Sequence, residues 1–219
     1  KQFSSDVSHE LRTPITVILA QSDYALQYSD TFEEAKESLE VINRHAKRMT
    51  NLINQIMELS KLERQKEIEK ERINLSNIVL QLLDDYKPLL ESKNLNLVYN
   101  VEKDIRIQGN KIMLERVFLN ILMNAVKFTK TNIEISLTRE DKTAVLKIRD
   151  DGIGISEENK KFIWERFFQV NDSRNKEENK GSGLGLSMVK KIVDLHSATI
   201  DLESELEQGT CFTIKFNMQ

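Results

Sequence analysis

Apolar positions in the first part of the chain keep a single rhythm. From Ala35 they run through Leu39, Ile42, Ala46, Met49, Ile53, Ile56 and Ser60. The steps alternate four and three, which is a heptad seam on a helix. An earlier seam passes through Val7, Leu11, Pro14, Ile18, Gln21 and Ala25. Between them Tyr28-Ser-Asp-Thr-Phe32 breaks the pattern and offers Asp30 or Thr31 as an N-cap. The spacing predicts a helical hairpin, with a kink at Pro14, which has no N–H to donate. Leu52, Leu59 and Leu62 widen the second stripe beyond what one hairpin covers. A lone hairpin buries too little surface to be stable. Pairing with a second copy, as a four-helix bundle, is the expected remedy.

Past residue 72 the rhythm changes. Residues 61–72, Lys-Leu-Glu-Arg-Gln-Lys-Glu-Ile-Glu-Lys-Glu-Arg, end the second helix in a charged bridge. Helices are predicted over 75–92, with Pro88 as a possible break, over 110–127 and over 185–196. Ser156 is expected to cap a further helix. Strands are predicted over 95–101, 105–108, 133–138, 144–150, 199–204 and 211–216. The fold class is therefore α+β: a helical-hairpin dimerisation domain, then an α/β sandwich with helices on one face of a mixed sheet. The expected boundaries are 1–66 for the first domain, 67–72 for the linker and 73–219 for the second.

Composition narrows the function classes. The chain has 219 residues, 39% hydrophobic and 31% charged, which suits a globular protein with exposed helices. A net charge of -3 leaves no basic footprint for nucleic acid. The lone Cys211 excludes an internal disulfide, reads as a buried strand residue, and fits a reducing compartment. There is no signal peptide pattern, and no run of eighteen apolar residues to span a membrane. Residue 1 is not Met and His9 lies near the start of its helix, so a removed upstream part is expected.

The candidate chemistry is concentrated in a few places. His9, two residues from Val7 and Leu11, is predicted on the outer face of the bundle, with Glu10 beside it and Thr13 one turn on. Far downstream, Asp150-Asp-Gly-Ile-Gly-Ile155 follows a strand, and Gly181-Ser-Gly-Leu-Gly-Leu186 opens a helix. Glycines let backbone approach a ligand, an Asp can accept from an exocyclic amine, and helix N-termini suit phosphate. Tight turns are the alternative for either cluster alone. Asn120 and Asn124 share a helix face, followed by Lys127 and Phe128. Amide oxygens suit Mg²⁺, a lysine suits phosphate, and a ring suits a base. A polar helix face is the alternative there.

Together these segments resemble the transmitter core of sensor histidine kinases of two-component systems, over essentially the full length. Ser8-His-Glu-Leu-Arg-Thr-Pro14 resembles the family's histidine box, and Asn120-Ile-Leu-Met-Asn-Ala-Val-Lys-Phe128 its asparagine box. Asp150-Asp-Gly-Ile-Gly154 and Gly181-Ser-Gly-Leu-Gly185 resemble its glycine boxes, and Phe162-Ile-Trp-Glu-Arg-Phe-Phe168 its phenylalanine-rich segment.

The resemblance implies a phosphoacceptor and dimerisation domain followed by a Bergerat-type ATP-binding domain. It implies a protein-histidine kinase that uses ATP and Mg²⁺ and passes the phosphoryl group to an aspartate of a response-regulator receiver domain. His9 would be the phosphoacceptor, Glu10 its base or orienter, and Thr13 the residue that orients water for dephosphorylating the regulator. Asn124 would bind Mg²⁺, with Asn120 close by. Lys127 would contact phosphates, Phe128 the purine and Asp150 the adenine amino group. Gly152, Gly154, Ile155, Phe168, Gly181, Gly183, Leu184, Gly185, Leu186 and Thr210 would complete the nucleotide site, with a lid over 169–183. Gln169 stands where many members carry arginine, leaving Arg174, Lys176 or Lys180 as candidate substitutes. The implied partners are a second copy through residues 1–66 and the regulator, with no nucleic acid. The implied setting is the cytoplasmic part of a membrane-anchored sensor. Rival readings are another Bergerat-fold ATPase, which as a clamp would want Glu at Asn120, and a phosphatase-dominant or non-catalytic dimeric docking module. His45 reads as packing or surface, His196 as structural and favourable to a helix dipole, and Met49 and Met57 as core or helix surface.

Overall fold

The computed structural model describes residues 2–170 and 181–218, with side chains from residue 5. The chain forms two compact units, Lys1–Lys61 and Leu62–Gln219.

In the first unit, α1 (Gln2–Gln27) and α2 (Phe32–Arg64) form the predicted hairpin. The break at 28–31 works by reciprocal capping. Thr31 Oγ1 accepts from the Glu34 N–H at 3.3 Å, and Glu34 Oε2 accepts from the Asp30 N–H at 3.0 Å. Helix α1 continues through Pro14. Its predicted seam is its inner face: Pro14 is buried and Val7, Leu11, Ile18, Gln21 and Ala25 are half-buried. Helix α2 departs from expectation. Ser38, Leu52, Leu59 and Leu62 are its buried positions, whereas Leu39 and Ile53 are 60% and 42% exposed. Two apolar stripes lie side by side on α2, and periodicity alone does not say which one faces inward. Ile15, Leu19 and Leu26 of α1 are exposed too, so the hairpin leaves apolar surface uncovered.

The second unit is built on a five-stranded sheet. Its order is β2 (Asn96–Val101), β4 (Asn132–Glu140), β5 (Thr143–Asp150), β7 (Gly209–Asn217) and β6 (Thr199–Glu205). β2 and β4 are parallel; the other pairs are antiparallel. In-register rungs such as Ile135, Ile148 and Phe212 bury one face. Helices α3 (Leu75–Ser92), α4 (Lys111–Phe128) and α6 (Gly185–Leu195) pack against the sheet. The one-turn α5 (Glu157–Lys160) lies between β5 and α6 in sequence.

Local rules explain most boundaries. Asn74 caps α3 by accepting from the Asn77 N–H, and Asn110 caps α4 by accepting from the Met113 N–H, both at 3.1 Å. Helix α3 passes through Pro88 to its predicted end. Ser156, the expected cap of α5, makes no side-chain capping bond. One strand went unpredicted: β1 (Glu71–Asn74) pairs antiparallel with β3 (Arg106–Gly109) in a separate two-stranded sheet. Its Glu-Arg-Ile-Asn sequence carries a single apolar residue, too little alternation to read.

His196 is structural, but not as a cation at a helix end. Its Nδ1 bonds the Ile192 carbonyl at 2.8 Å, and its Nε2 accepts from the Asn110 N–H at 3.0 Å. One nitrogen donates and the other accepts, which only the neutral ring can do. Burial pushes its pKa down accordingly. No described helix is long and apolar enough to cross a membrane.

Two substitutions separate capping from packing. Asn74→Ala should destabilise the second unit by about 1 kcal/mol. Leu122→Ala, at a fully buried position, should cost roughly 2–5 kcal/mol. Urea midpoints of the two variants at one protein concentration check the ranking.

Candidate nucleotide site

The site gathers at the end of β5, where three backbone approaches admit no side chain. A Cβ on Gly152 would lie 2.2 Å from the Phe128 carbonyl oxygen. One on Gly154 would lie 1.9 Å from the Glu205 carbonyl oxygen, and one on Gly209 2.0 Å from that of Asp150. Gly154 and Gly209 also have φ of +69° and +92°, a region L-residues avoid. The first glycine cluster is thus pressed between the end of α4 and the β6–β7 turn.

Asp150 is 7% exposed. Its Oδ1 accepts from the Gly152 N–H at 2.9 Å. Burial pushes its carboxyl up to about 6, opposed by hydrogen bonds from the backbone at Gly152 and Thr210. Thr210 is buried directly opposite Asp150 in the ladder. Directly opposed side chains share a face, so Asp150 and Thr210 stand side by side. Side by side, a carboxylate and a hydroxyl make an edge that calls for a hydrogen-bond donor.

Asp151 has a different role that its sequence does not announce. Its Oδ1 accepts from Thr129 Oγ1 at 2.6 Å and from the N–H groups of Lys130 and Thr131 at 3.0 and 2.9 Å. Its Oδ2 accepts from Thr131 Oγ1 and Asn132 Nδ2 at 2.8 and 2.7 Å. Burial alone would raise its pKa, but these bonds from Thr129, Thr131 and Asn132 hold the carboxyl well below the usual range. Asp151 therefore ties the turn after α4 to the first glycine cluster.

Asn120 and Asn124 lie half-buried on one face of α4. Gly185 at the start of α6 lies against Asn120: a Cβ there would sit 3.1 Å from its Oδ1. Lys127 Nζ lies 4.6 Å above the Phe128 ring centroid and 3.6 Å from the Cβ position of Gly181. The asparagine helix and the second glycine cluster thus meet. Half-buried amide oxygens and an ammonium beside a glycine-lined helix N-terminus fit a nucleotide phosphate with Mg²⁺.

Around the second cluster, the Phe167 N–H donates to the Gly183 carbonyl at 3.0 Å, with both residues at positive φ. Phe168 packs on Phe162, centroids 5.6 Å apart. Gln169, flagged as the missing arginine, donates from Nε2 to the Gly181 carbonyl at 2.9 Å. Leu184 is fully buried, so only its backbone can line a site; Leu186 is half-buried. Ile155 donates its N–H to Ser204 Oγ at 2.8 Å. Most of the expected lid, including Arg174, Lys176 and Lys180, falls at 171–180, outside the described residues.

On the first unit His9 and Thr13 are exposed, as the seam predicts, and Glu10 is half-buried. Cys211 is buried in β7 and His45 is half-buried. Met57 is exposed and Met49 half-buried, so neither is deep core.

The chain matches two family models. One, described as "His Kinase A (phospho-acceptor) domain", covers residues 1–65. The other, "Histidine kinase-, DNA gyrase B-, and HSP90-like ATPase", covers residues 109–219. An uncharacterized sensor-like histidine kinase of Porphyra purpurea is 33% identical over 96% of this chain and 35% of its own length. The chain spans less than half the length of the curated relatives reported in these comparisons. Among solved structures, the Acinetobacter baumannii histidine kinase AdeS aligns with TM-score 0.73 and 23% identity, over 96% of this chain and 98% of its own. The histidine kinase ThkA, crystallised with the response regulator TrrA, aligns with TM-score 0.82 and 22% identity, over 100% and 62%. These two likenesses speak to the fold.

The Asp150 carboxyl sets a pH dependence. Its folded pKa is raised, so its buried charge is destabilising above about pH 6, and that penalty fades as the pH falls and the proton binds. Ligand binding runs the other way, because protonation removes an acceptor. ATP affinity measured by calorimetry should fall as the pH drops through about 6, and Asp150→Asn should bind weakly without that step.

Proposed function

We propose, from the premise that the chain belongs to the sensor histidine kinases of two-component systems and is their transmitter core, that it phosphorylates His9 from ATP and passes the phosphoryl group to an aspartate of a response regulator. The observation that carries this reading is the pairing of an exposed His9 on one unit with a buried acceptor, Asp150, and two glycine clusters on the other.

The chemistry follows from the residue types. A neutral imidazole nitrogen attacks the γ-phosphorus, a P–N bond forms, and the bond to the ADP oxygen breaks. Glu10 accepts a hydrogen bond from the opposite ring N–H, holds the tautomer and stabilises the cation that forms. Lys127 and the N–H groups at the start of α6 take up phosphate charge. Mg²⁺, held through the Asn124 amide oxygen, would neutralise phosphate charge. Asp150 accepts from the purine amine and Phe128 leans on the ring. His9 and the nucleotide residues belong to different units, so the reaction requires the two to meet.

The uncovered apolar positions Ile15, Leu19, Leu39 and Ile53 support pairing of the hairpin with a second copy. ThkA, whose structure includes a response regulator, supports the choice of acceptor. Asn120, rather than the glutamate a clamp ATPase wants, favours a kinase over water activation. Thr13, exposed one turn past His9, would orient water for dephosphorylating the regulator. The full-length protein is proposed as a membrane-anchored sensor with this part in the cytoplasm.

Incubation with Mg²⁺ and γ-labelled ATP tests the reading. Bound label should be acid-labile and alkali-stable, and absent in His9→Gln. Label that survives acid, or persists without His9, overturns it. Thr13→Ala should slow decay of phospho-regulator while leaving label uptake intact.

A further inference from the structure

We propose that Ser204 is a positioning residue that fixes the Thr210 hydroxyl as a hydrogen-bond acceptor, so that the base edge takes an amino-bearing purine and refuses a carbonyl-bearing one. The proposal rests on the reading of Asp150 as the residue that meets the purine.

One rung of the sheet carries the argument. Ser204 in β6 stands opposite Thr210 in β7, which stands opposite Asp150 in β5. Ser204 Oγ has three close polar neighbours. The Gly209 carbonyl lies at 2.8 Å, the Ile155 N–H at 2.8 Å and Thr210 Oγ1 at 3.0 Å. A hydroxyl has one proton to give and two lone pairs to fill.

Counting protons settles the polarity. A carbonyl oxygen only accepts, so Ser204 gives it its single proton. A backbone N–H only donates, so it fills one lone pair of Ser204. The contact with Thr210 must then use the remaining lone pair, with Thr210 as donor. That spends the only proton Thr210 has. Its oxygen is left with lone pairs alone, beside a carboxylate that is also an acceptor.

Two adjacent acceptors discriminate between purines. Adenine carries an amine where guanine carries a carbonyl. The amine supplies protons to both acceptors, whereas the carbonyl sets its own lone pairs against them. Sites built to bond a donor reject analogues that lack it far more strongly than apolar pockets do. Without Ser204, the Thr210 hydroxyl is free to rotate and offer its proton to a carbonyl. Ser204 also joins the Ile155 N–H to the β6–β7 turn, which makes a stability control necessary.

Calorimetric titration with Mg-ATP and Mg-GTP tests the proposal without using His9. Wild type should bind ATP and discriminate against GTP. Ser204→Ala should narrow the ratio of the two dissociation constants by roughly tenfold or more. Ser204→Thr, which keeps the hydroxyl, should restore most of it. A purely structural role would weaken both nucleotides alike and leave the ratio unchanged, and that result overturns the proposal. If Ser204→Ala does not fold, Thr210→Val takes its place: it removes the acceptor and should narrow the same ratio, and an unchanged ratio again overturns the proposal. Failure of wild type to bind ATP at all would instead sink the reading of the site on which this one rests.

Discussion

The close approach of three backbones at the end of β5 is the constraint on which the site depends. With no Cβ at 152, 154 and 209, the last turn of α4, the strand end and the β6–β7 turn reach van der Waals contact. A Cβ at any of the three would lie within 2.2 Å of a backbone carbonyl oxygen, so the segments would have to part. The contacts explain why Asp150 can be buried beside Thr210 while the asparagine helix ends within reach of the same loop. Asp151 then locks the arrangement, because its carboxylate collects five donors from residues 129–132. Glycine supplies the proximity and Asp151 the fixity.

Much of this was legible in the sequence, and the reason is locality. The cap at Asn110, the hairpin break at 28–31 and the seam of α1 follow from residues within a turn of each other. The glycine clusters were legible because their spacing is dense. Features that depend on distant partners were not. β1 carries only Ile73 as an apolar signal and gains its identity from β3, more than thirty residues away. Asp151 looks like a duplicate of Asp150 until the turn after α4 is folded against it. Ser204 looks like an ordinary surface strand residue until its rung is known. His196 reads as structural from its place at a helix end, but its bond from the Asn110 N–H joins residues far apart in the sequence.

The α2 seam is a different kind of miss. The period holds but the seam divides: Ala35, Ile42, Met49, Ile56 and Ser60 are half-buried, whereas Leu39, Ala46 and Ile53 are exposed. A helix with two adjacent apolar stripes satisfies one heptad rule on either, and the hairpin uses only one. What remains exposed on α1 and α2 is a second stripe with no function inside a single hairpin. The burden of covering it falls on another surface, which links the stability of this unit to association rather than to its own core.

The two ends of the nucleotide site have opposite polarity, and that carries its own orienting force. At the proposed base end stand Asp150 and Thr210, acceptors on the reading given above. At the other end stand Lys127, the Gly181–Leu186 segment and the N-terminus of α6, which donate or carry positive charge. A ligand must therefore present donors at one end and anionic oxygens at the other. Reversed binding would set phosphate oxygens against a carboxylate and a base against an ammonium. On the proposed reading, the site would align an adenine nucleotide along one direction before any metal or histidine takes part. That alignment is what a chemically simple nucleophile needs, since an exposed imidazole contributes reactivity but no orientation of its own.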